Sequence, residues 1–169
     1  IHRDLKPENI MIENGEPPKG GDALIMDFGI ARSVESGSTQ TAAGAIVGTL
    51  DYMAPEQARG QKVDQRVDIY SFGLIMYDAL VGRQRLTSGG NPMSGLLARM
   101  EKAPPAPRTL DAGIPDPFDL IVQRCLEPNP DARFQTTAEV AAALDRLTSD
   151  GHLRSDAPTS VIAPIVVRR

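Results

Sequence analysis

Apolar residues crowd most densely between Val67 and Val81, where only Asp68, Ser71 and Asp78 interrupt the run. Coiled as a helix, this stretch is apolar on nearly every face, and such a helix is buried. At fifteen residues it is too short to span a bilayer. Gly82 is a natural stop. The pattern predicts the central helix of a packed domain, in which each fully buried Leu or Ile contributes roughly 2 kcal/mol.

Weaker periodicities surround it. Met93, Leu96, Leu97 and Met100 recur at spacings of three and four and predict a helix over 92–102. Five prolines between Ala103 and Pro117 predict a connector. Pro117 suits the first turn of a further helix, with Phe118, Ile121, Val122 and Cys125 on one face and Pro128 and Pro130 beyond its end. Thr136-x-x-Glu139 reads as a capping box ahead of Val140, Ala143, Leu144 and Leu147. Near the start, Ile10–Ile12 and Ala23–Met26 read as two short strands. The Gly- and Pro-rich stretch between them, with Asn14-Gly15, makes them a hairpin. That hairpin brings Asn9 close to Asp27. Residues 30–53 lack sustained periodicity, and a loop of that length is functional or disordered. From Ser149 onward Gly, Ser and Pro suggest a tail, with Val161-Ile162 and Ile165–Val167 divided by Pro164. The expected organisation is one domain over 1–148 and a flexible tail or linker over 149–169.

Composition narrows the class. With 169 residues, 41% of them hydrophobic, and 24% charged, the chain can bury a core and is not disordered throughout. A net charge of −4 with no Lys/Arg block argues against nucleic acid as main partner. The single Cys125 cannot form an internal disulfide, which suits a reducing compartment, and its apolar neighbours make it a core residue. No apolar run is long enough for a membrane span. A cytoplasmic location is expected, with a membrane anchor outside this segment left open.

The chemistry concentrates in His2-Arg3-Asp4-Leu5-Lys6-Pro7-Glu8-Asn9, which runs directly into the first strand. Pro7 fixes its own φ and turns Lys6 away from helix, so this is a stiffened loop. Asp4 can accept a proton, Lys6 can neutralise a phosphate oxygen, and Asn9 can offer an amide oxygen to a hard cation. Taken singly, each reads equally as a solvated loop residue.

Together these residues resemble the catalytic loop of protein kinases. Asp27-Phe28-Gly29 resembles their metal-binding triplet, and Ala54-Pro55-Glu56 the element closing their activation segment. The resemblance covers roughly residues 1–148 and is closest to the eukaryotic-like Ser/Thr kinases of bacteria. It implies a mainly α fold with a short β-hairpin, the kinase C-lobe. No G-x-G-x-x-G and nothing like V-A-I-K occurs here, so the small N-lobe is expected to be absent and the natural start to lie upstream.

By that resemblance Asp4 is the catalytic base, Lys6 stabilises the transferring phosphoryl group, and Asn9 and Asp27 hold the Mg²⁺ that accompanies ATP. Arg3 binds a phosphate carried on the activation segment; Thr39 or Thr41 is the favoured site, with Ser33, Ser36 and Ser38 as alternates. Thr49 bonds to Asp4 and Lys6. His2, Phe28 and Gly29 support the site. Asp68 reaches the backbone N–H groups of the catalytic loop, and Glu56 pairs with Arg133 in the core, where stranding one partner costs about 3–5 kcal/mol. The implied reaction is transfer of the ATP γ-phosphoryl group to Ser or Thr of protein substrates, and the segment alone is expected to be inactive. The rival readings are a non-catalytic lobe that only binds partners, a small-molecule phosphotransferase, and a non-kinase structural domain. Lys6 and the segment from Thr49 to Glu56 favour a protein substrate over a small molecule.

Overall fold

The computed structural model describes residues 1–13, 21–27, 50–83 and 92–155. Pro7–Asn9 forms a 3₁₀ turn, a tighter course than the plain loop expected there. It leads into β1 (Ile10–Ile12), which pairs antiparallel with β2 (Ala23–Ile25) in the register Ile10 opposite Ile25. The second strand ends at Ile25, one residue short of expectation, although the Met26 N–H still bonds the carbonyl of Asn9, the next residue in register, at 2.9 Å. Among the described residues the other helices are α1 (Pro55–Ala58), α2 (Arg66–Val81), α3 (Pro92–Glu101), α4 (Pro107–Leu110), α5 (Asp116–Cys125) and α6 (Thr137–Leu144), with a 3₁₀ turn at Pro130–Ala132.

The all-round apolar helix is α2, and its Val67, Ile69, Tyr70, Leu74 and Tyr77 are all essentially inaccessible. Gly82 ends it at φ +73°, a conformation that costs a side chain and suits glycine. Asp64 accepts from the Arg66 N–H at 2.9 Å and from its guanidinium. The side-chain hydrogen bond from Arg66 holds the Asp64 carboxyl below its ordinary range. Stability from this pair is present at neutral pH and lost as acid protonates Asp64; solvent screening keeps it small.

Against α2 packs α5, through Ile121, Val122 and Cys125. The two helices touch at Gly73, where an added Cβ would lie 2.7 Å from the Cys125 Cβ and 3.0 Å from the Leu126 Cδ2. Cys125 is fully buried, and burial pushes its thiol up to about 12, so it is an inert core residue.

Two local expectations are corrected. The stretch 103–117 is not a plain connector: α4 forms within it, because Pro107 occupies a first-turn position where a missing N–H costs nothing. The capping box at Thr136 is only half made. Thr136 Oγ1 accepts from the Glu139 N–H at 3.1 Å, but Glu139 Oε2 reaches past the cap to the Gln135 N–H at 2.9 Å. Separately, the described residues 147–154 make a short hydrogen-bonded turn. Leu147 and Leu153 form an antiparallel bridge, and the Thr148 N–H donates to the His152 carbonyl at 2.7 Å.

The Gly73 contact yields a test. Alanine favours helix over glycine by about 1 kcal/mol, yet here its methyl group meets the backbone-fixed Cβ of Cys125. Gly73→Ala should therefore destabilise by about 1–3 kcal/mol through overpacking, read as a lowered urea midpoint. An unchanged or raised midpoint would show that α2 and α5 are not in close contact.

Candidate active site

The loop carrying Asp4 is held from beneath by α2. Asp68, in the first turn of that helix, accepts from two successive backbone groups: His2 N–H to Oδ2 and Arg3 N–H to Oδ1, each at 2.7 Å. Between these bonds and Asp4 the backbone turns through Arg3 at φ +67°. A non-glycine residue there costs on the order of 1–3 kcal/mol, and it persists only where its surroundings over-determine it. A third bond supplies that: Gln57 Nε2, from α1, donates to the Arg3 carbonyl at 2.9 Å.

His2 joins this loop to the hairpin. Its buried ring donates from Nε2 to the Met26 carbonyl at 2.9 Å, while Nδ1 accepts from the Asp4 N–H at 3.3 Å. That pair of partners fixes the tautomer. Asn9, also buried, donates from Nδ2 to the Asp4 carbonyl at 2.8 Å. The Met26 N–H to Asn9 carbonyl bond closes the circuit. Asp4, Asn9 and Met26-Asp27 are thus tied into one cluster of backbone and side-chain hydrogen bonds. Lys6 Nζ lies 3.1 Å from Asp4 Oδ2, both side chains about one-fifth exposed. Asp27 follows at φ +52°, a left-handed conformation that aspartate tolerates better than most residues.

These groups suit a hard cation. The Asn9 amide nitrogen donates to the Asp4 carbonyl, which leaves the amide oxygen as its acceptor end. Asp27 supplies a carboxylate on the adjoining segment. Both are oxygen donors, the set magnesium takes. Among the described residues no group of three or more His, Cys, Asp or Glu could hold a metal by itself.

Below the loop lies a second charged pair. Arg133 is wholly inaccessible and forks onto Glu56, Nη1 to Oε1 at 2.7 Å and Nη2 to Oε2 at 2.9 Å. Its other donors reach the carbonyls of Glu127, Arg66 and Pro128 at 2.7, 3.0 and 3.2 Å. All five guanidinium N–H groups thus have acceptors, and the plane stacks over the Tyr70 ring at 4.6 Å. Above α1, Tyr52 Oη donates to Asp78 Oδ2, Ser71 Oγ to the Tyr52 carbonyl and Arg99 Nη2 to the Leu50 carbonyl, each at 2.8 Å. These anchor residues 50–54 to α2 and α3.

Thr49, Phe28, Gly29 and the expected phosphate acceptors Ser33, Ser36, Ser38, Thr39 and Thr41 lie outside the described residues. Gln57, Tyr52, Asp78 and Arg99 were not singled out by sequence reasoning. For Gln57 a signal existed: a glutamine at the third position of a helix opened by Ala54-Pro55 is placed to accept from the cap N–H. It does so from Ala54 at 3.1 Å.

Asp4 beside Lys6, on a loop hydrogen-bonded to the segment that ends in Asp27, is the arrangement the resemblance to protein kinases implies. The chain belongs to the protein kinase family: residues 1–143 match its protein kinase domain. It is 41% identical over 148 residues to the serine/threonine-protein kinase PknB of Mycobacterium tuberculosis, covering 87% of this chain and 23% of that protein. PknB of Mycobacterium leprae is 40% identical over 149 residues, 88% of this chain and 23% of the relative. A probable serine/threonine-protein kinase of Streptomyces coelicolor is 37% identical over 146 residues, 86% and 21% respectively. The chain thus spans less than a quarter of the length of these curated relatives. Among the described residues no helix is long and apolar enough to cross a membrane.

The Arg133–Glu56 fork gives a double-mutant test. Arg133→Met alone strands the Glu56 carboxylate in the core and should cost about 3–5 kcal/mol in urea unfolding. Adding Glu56→Met removes the stranded charge and should recover a large part of that loss. A double variant no better than the single one would show that the pair's worth lies in the arginine's carbonyl bonds and not in the charge pairing.

Proposed function

We propose that this chain supplies the catalytic loop and substrate-binding part of a serine/threonine protein kinase, which moves the γ-phosphoryl group of ATP to a Ser or Thr hydroxyl of a protein. The observation that carries the reading is the Asp4–Lys6 pair, 3.1 Å apart on a loop whose backbone is gripped from several sides. The Asp4 carboxylate orients the incoming hydroxyl and takes its proton as the new O–P bond forms. The Lys6 ammonium, already beside Asp4, stabilises the negative charge of the transferring group. The bond to the β-phosphate oxygen breaks, and ADP leaves. Asn9 and Asp27 are the residues that would hold magnesium, which when bound neutralises charge on the phosphate oxygens. Little covalent work falls to the protein, so rigid placement supplies the rate.

The anchoring of residues 50–54 by Tyr52, Ser71 and Arg99 supports a built wall for a polypeptide substrate. Dependence on ATP supports a cytoplasmic position for this part of the protein. Arg3, whose side chain is exposed directly beside Asp4, supports an activating phosphate on the segment from Ser33 to Thr41, with Thr39 or Thr41 as its site. Mass-spectrometric mapping of the active intact kinase should find phosphate within that segment; its absence there removes this role for Arg3.

Two measurements test the main reading. In the intact kinase, Asp4→Asn keeps the shape but loses the proton acceptor, and phosphotransfer should fall by at least about 10²-fold. Purified 1–169 should show no phosphotransfer, because no Gly-rich phosphate cradle occurs in its sequence. Wild-type rates for Asp4→Asn, or robust Asp4-dependent turnover by 1–169, would overturn the respective statement.

A further inference from the structure

The Arg3–Asp4 peptide unit is gripped at both of its polar atoms. Its carbonyl accepts from Gln57 Nε2 at 2.9 Å, and its N–H donates to His2 Nδ1 at 3.3 Å. The preceding N–H, that of Arg3, is held by Asp68 at 2.7 Å. A peptide unit is planar, so these contacts set both dihedrals at Arg3 and the direction in which Asp4 leaves the chain. Of the three grips, two come from the loop itself and from the central helix. The third comes from α1, which sits 54 residues away in sequence.

The Gln57 amide is used in two directions. Oε1 accepts from the Ala54 N–H at 3.1 Å, and Nε2 donates to the Arg3 carbonyl. One partner is a donor and the other an acceptor, so a flipped amide would set oxygen against oxygen. The next residue back, Glu56, is clamped by the fully buried Arg133. Gln57 therefore stands on a fixed base, and it lines the same crevice as Arg3, Asp4 and Tyr52.

We propose that Gln57 is a positioning residue for phosphoryl transfer: its amide holds the Arg3 carbonyl, keeps Arg3 in the left-handed conformation, and thereby aims the Asp4 carboxylate. Through it the placement of α1 is passed to the base across one hydrogen bond. This rests on the phosphotransfer reading of Asp4 given above.

The two arms of the amide can be separated. Gln57→Glu keeps the acceptor for the Ala54 N–H, and a carboxylate in the first turn of a helix is favoured by the dipole. It removes the donor and turns an oxygen toward the Arg3 carbonyl. Gln57→Met removes both arms at similar length. In the intact kinase, the single-turnover transfer rate should fall roughly five-fold in both variants, the worth of one net hydrogen bond. KM for ATP and for peptide should stay unchanged, and Gln57→Met, which loses both arms, should lower Tm further than Gln57→Glu.

Asp4→Asn is run beside them. If it abolishes transfer while Gln57→Glu and Gln57→Met both keep the wild-type rate, the positioning role is overturned and the phosphotransfer reading stands. If the rate falls only in step with Tm in both variants, Gln57 is a structural cap and the role is again overturned. A raised peptide KM at unchanged rate overturns it too, by making Gln57 a substrate contact. If Asp4→Asn transfers at the wild-type rate, the phosphotransfer reading itself fails and takes this inference with it.

Discussion

One carboxylate accepting two successive backbone N–H groups holds the working end of this protein in place. Asp68 has no neighbour in sequence among the residues it organises, yet its two 2.7 Å bonds reach His2 and Arg3. Hydrogen bonds to an ionised acceptor are about twice as strong as neutral ones. That strength is set against the left-handed turn at Arg3, which a chain of L-residues resists by on the order of 1–3 kcal/mol. The carboxylate can do this because α2 is the most deeply buried helix and cannot shift without opening the core. A loop of polar residues thereby inherits the rigidity of an apolar helix.

Arg133 extends the same logic one layer down. Its guanidinium forks onto Glu56 in α1 and also reaches the Arg66 carbonyl at the first residue of α2. Those are the neighbourhoods of Gln57 and Asp68, the two side chains that grip Arg3 from opposite sides. One buried cation thus fixes the relative placement of the two helix starts on which the catalytic loop hangs. Burying a charge this completely costs several kcal/mol before any partner is counted. The five satisfied donors and the Tyr70 face offset that cost and leave a node with only one geometry available.

How far the sequence foretold this depends on the kind of interaction. The central helix was legible because apolar density is local and α2 shows little else. The hairpin was legible from turn residues, and the pairing of Glu56 with Arg133 from the resemblance to kinases. The left-handed Arg3 was not legible, since no glycine marks it and the conformation is imposed by residues 54 and 65 positions away. The bond from Gln57 to the Arg3 carbonyl was hidden for the same reason, because a polar contact across the fold leaves no periodicity behind, whereas its capping of Ala54 was legible and passed over. The helix at Pro107 was hidden by prolines that signal a break and also suit a first turn. The capping residue Thr136 was read correctly, but where Glu139 went depended on a choice between two adjacent N–H groups that composition does not encode.

The two arms of the site are held unequally, and this follows from what lies behind each. Asp4 stands on a loop backed by α1, α2 and a buried histidine. Asp27 follows a two-stranded hairpin of three residues per strand, and such a ribbon has marginal stability by itself. Its Met11, Ile12, Leu24 and Ile25 remain 44–62% exposed. Ile25 lines a cavity of about 380 Å³ together with Leu5, Phe72, Val140 and Leu144. The bonds at Met26 to His2 and Asn9 join the segment carrying Asp27 to the loop carrying Asp4. The loop carrying Asp4 is held from several sides, whereas the segment carrying Asp27 is tied to it by one side-chain-to-backbone bond and one backbone–backbone bond. The imbalance places the weakest-held point at the junction between hairpin and loop, and because His2 and Asn9 bond both Met26 and Asp4, a shift there is felt on both arms.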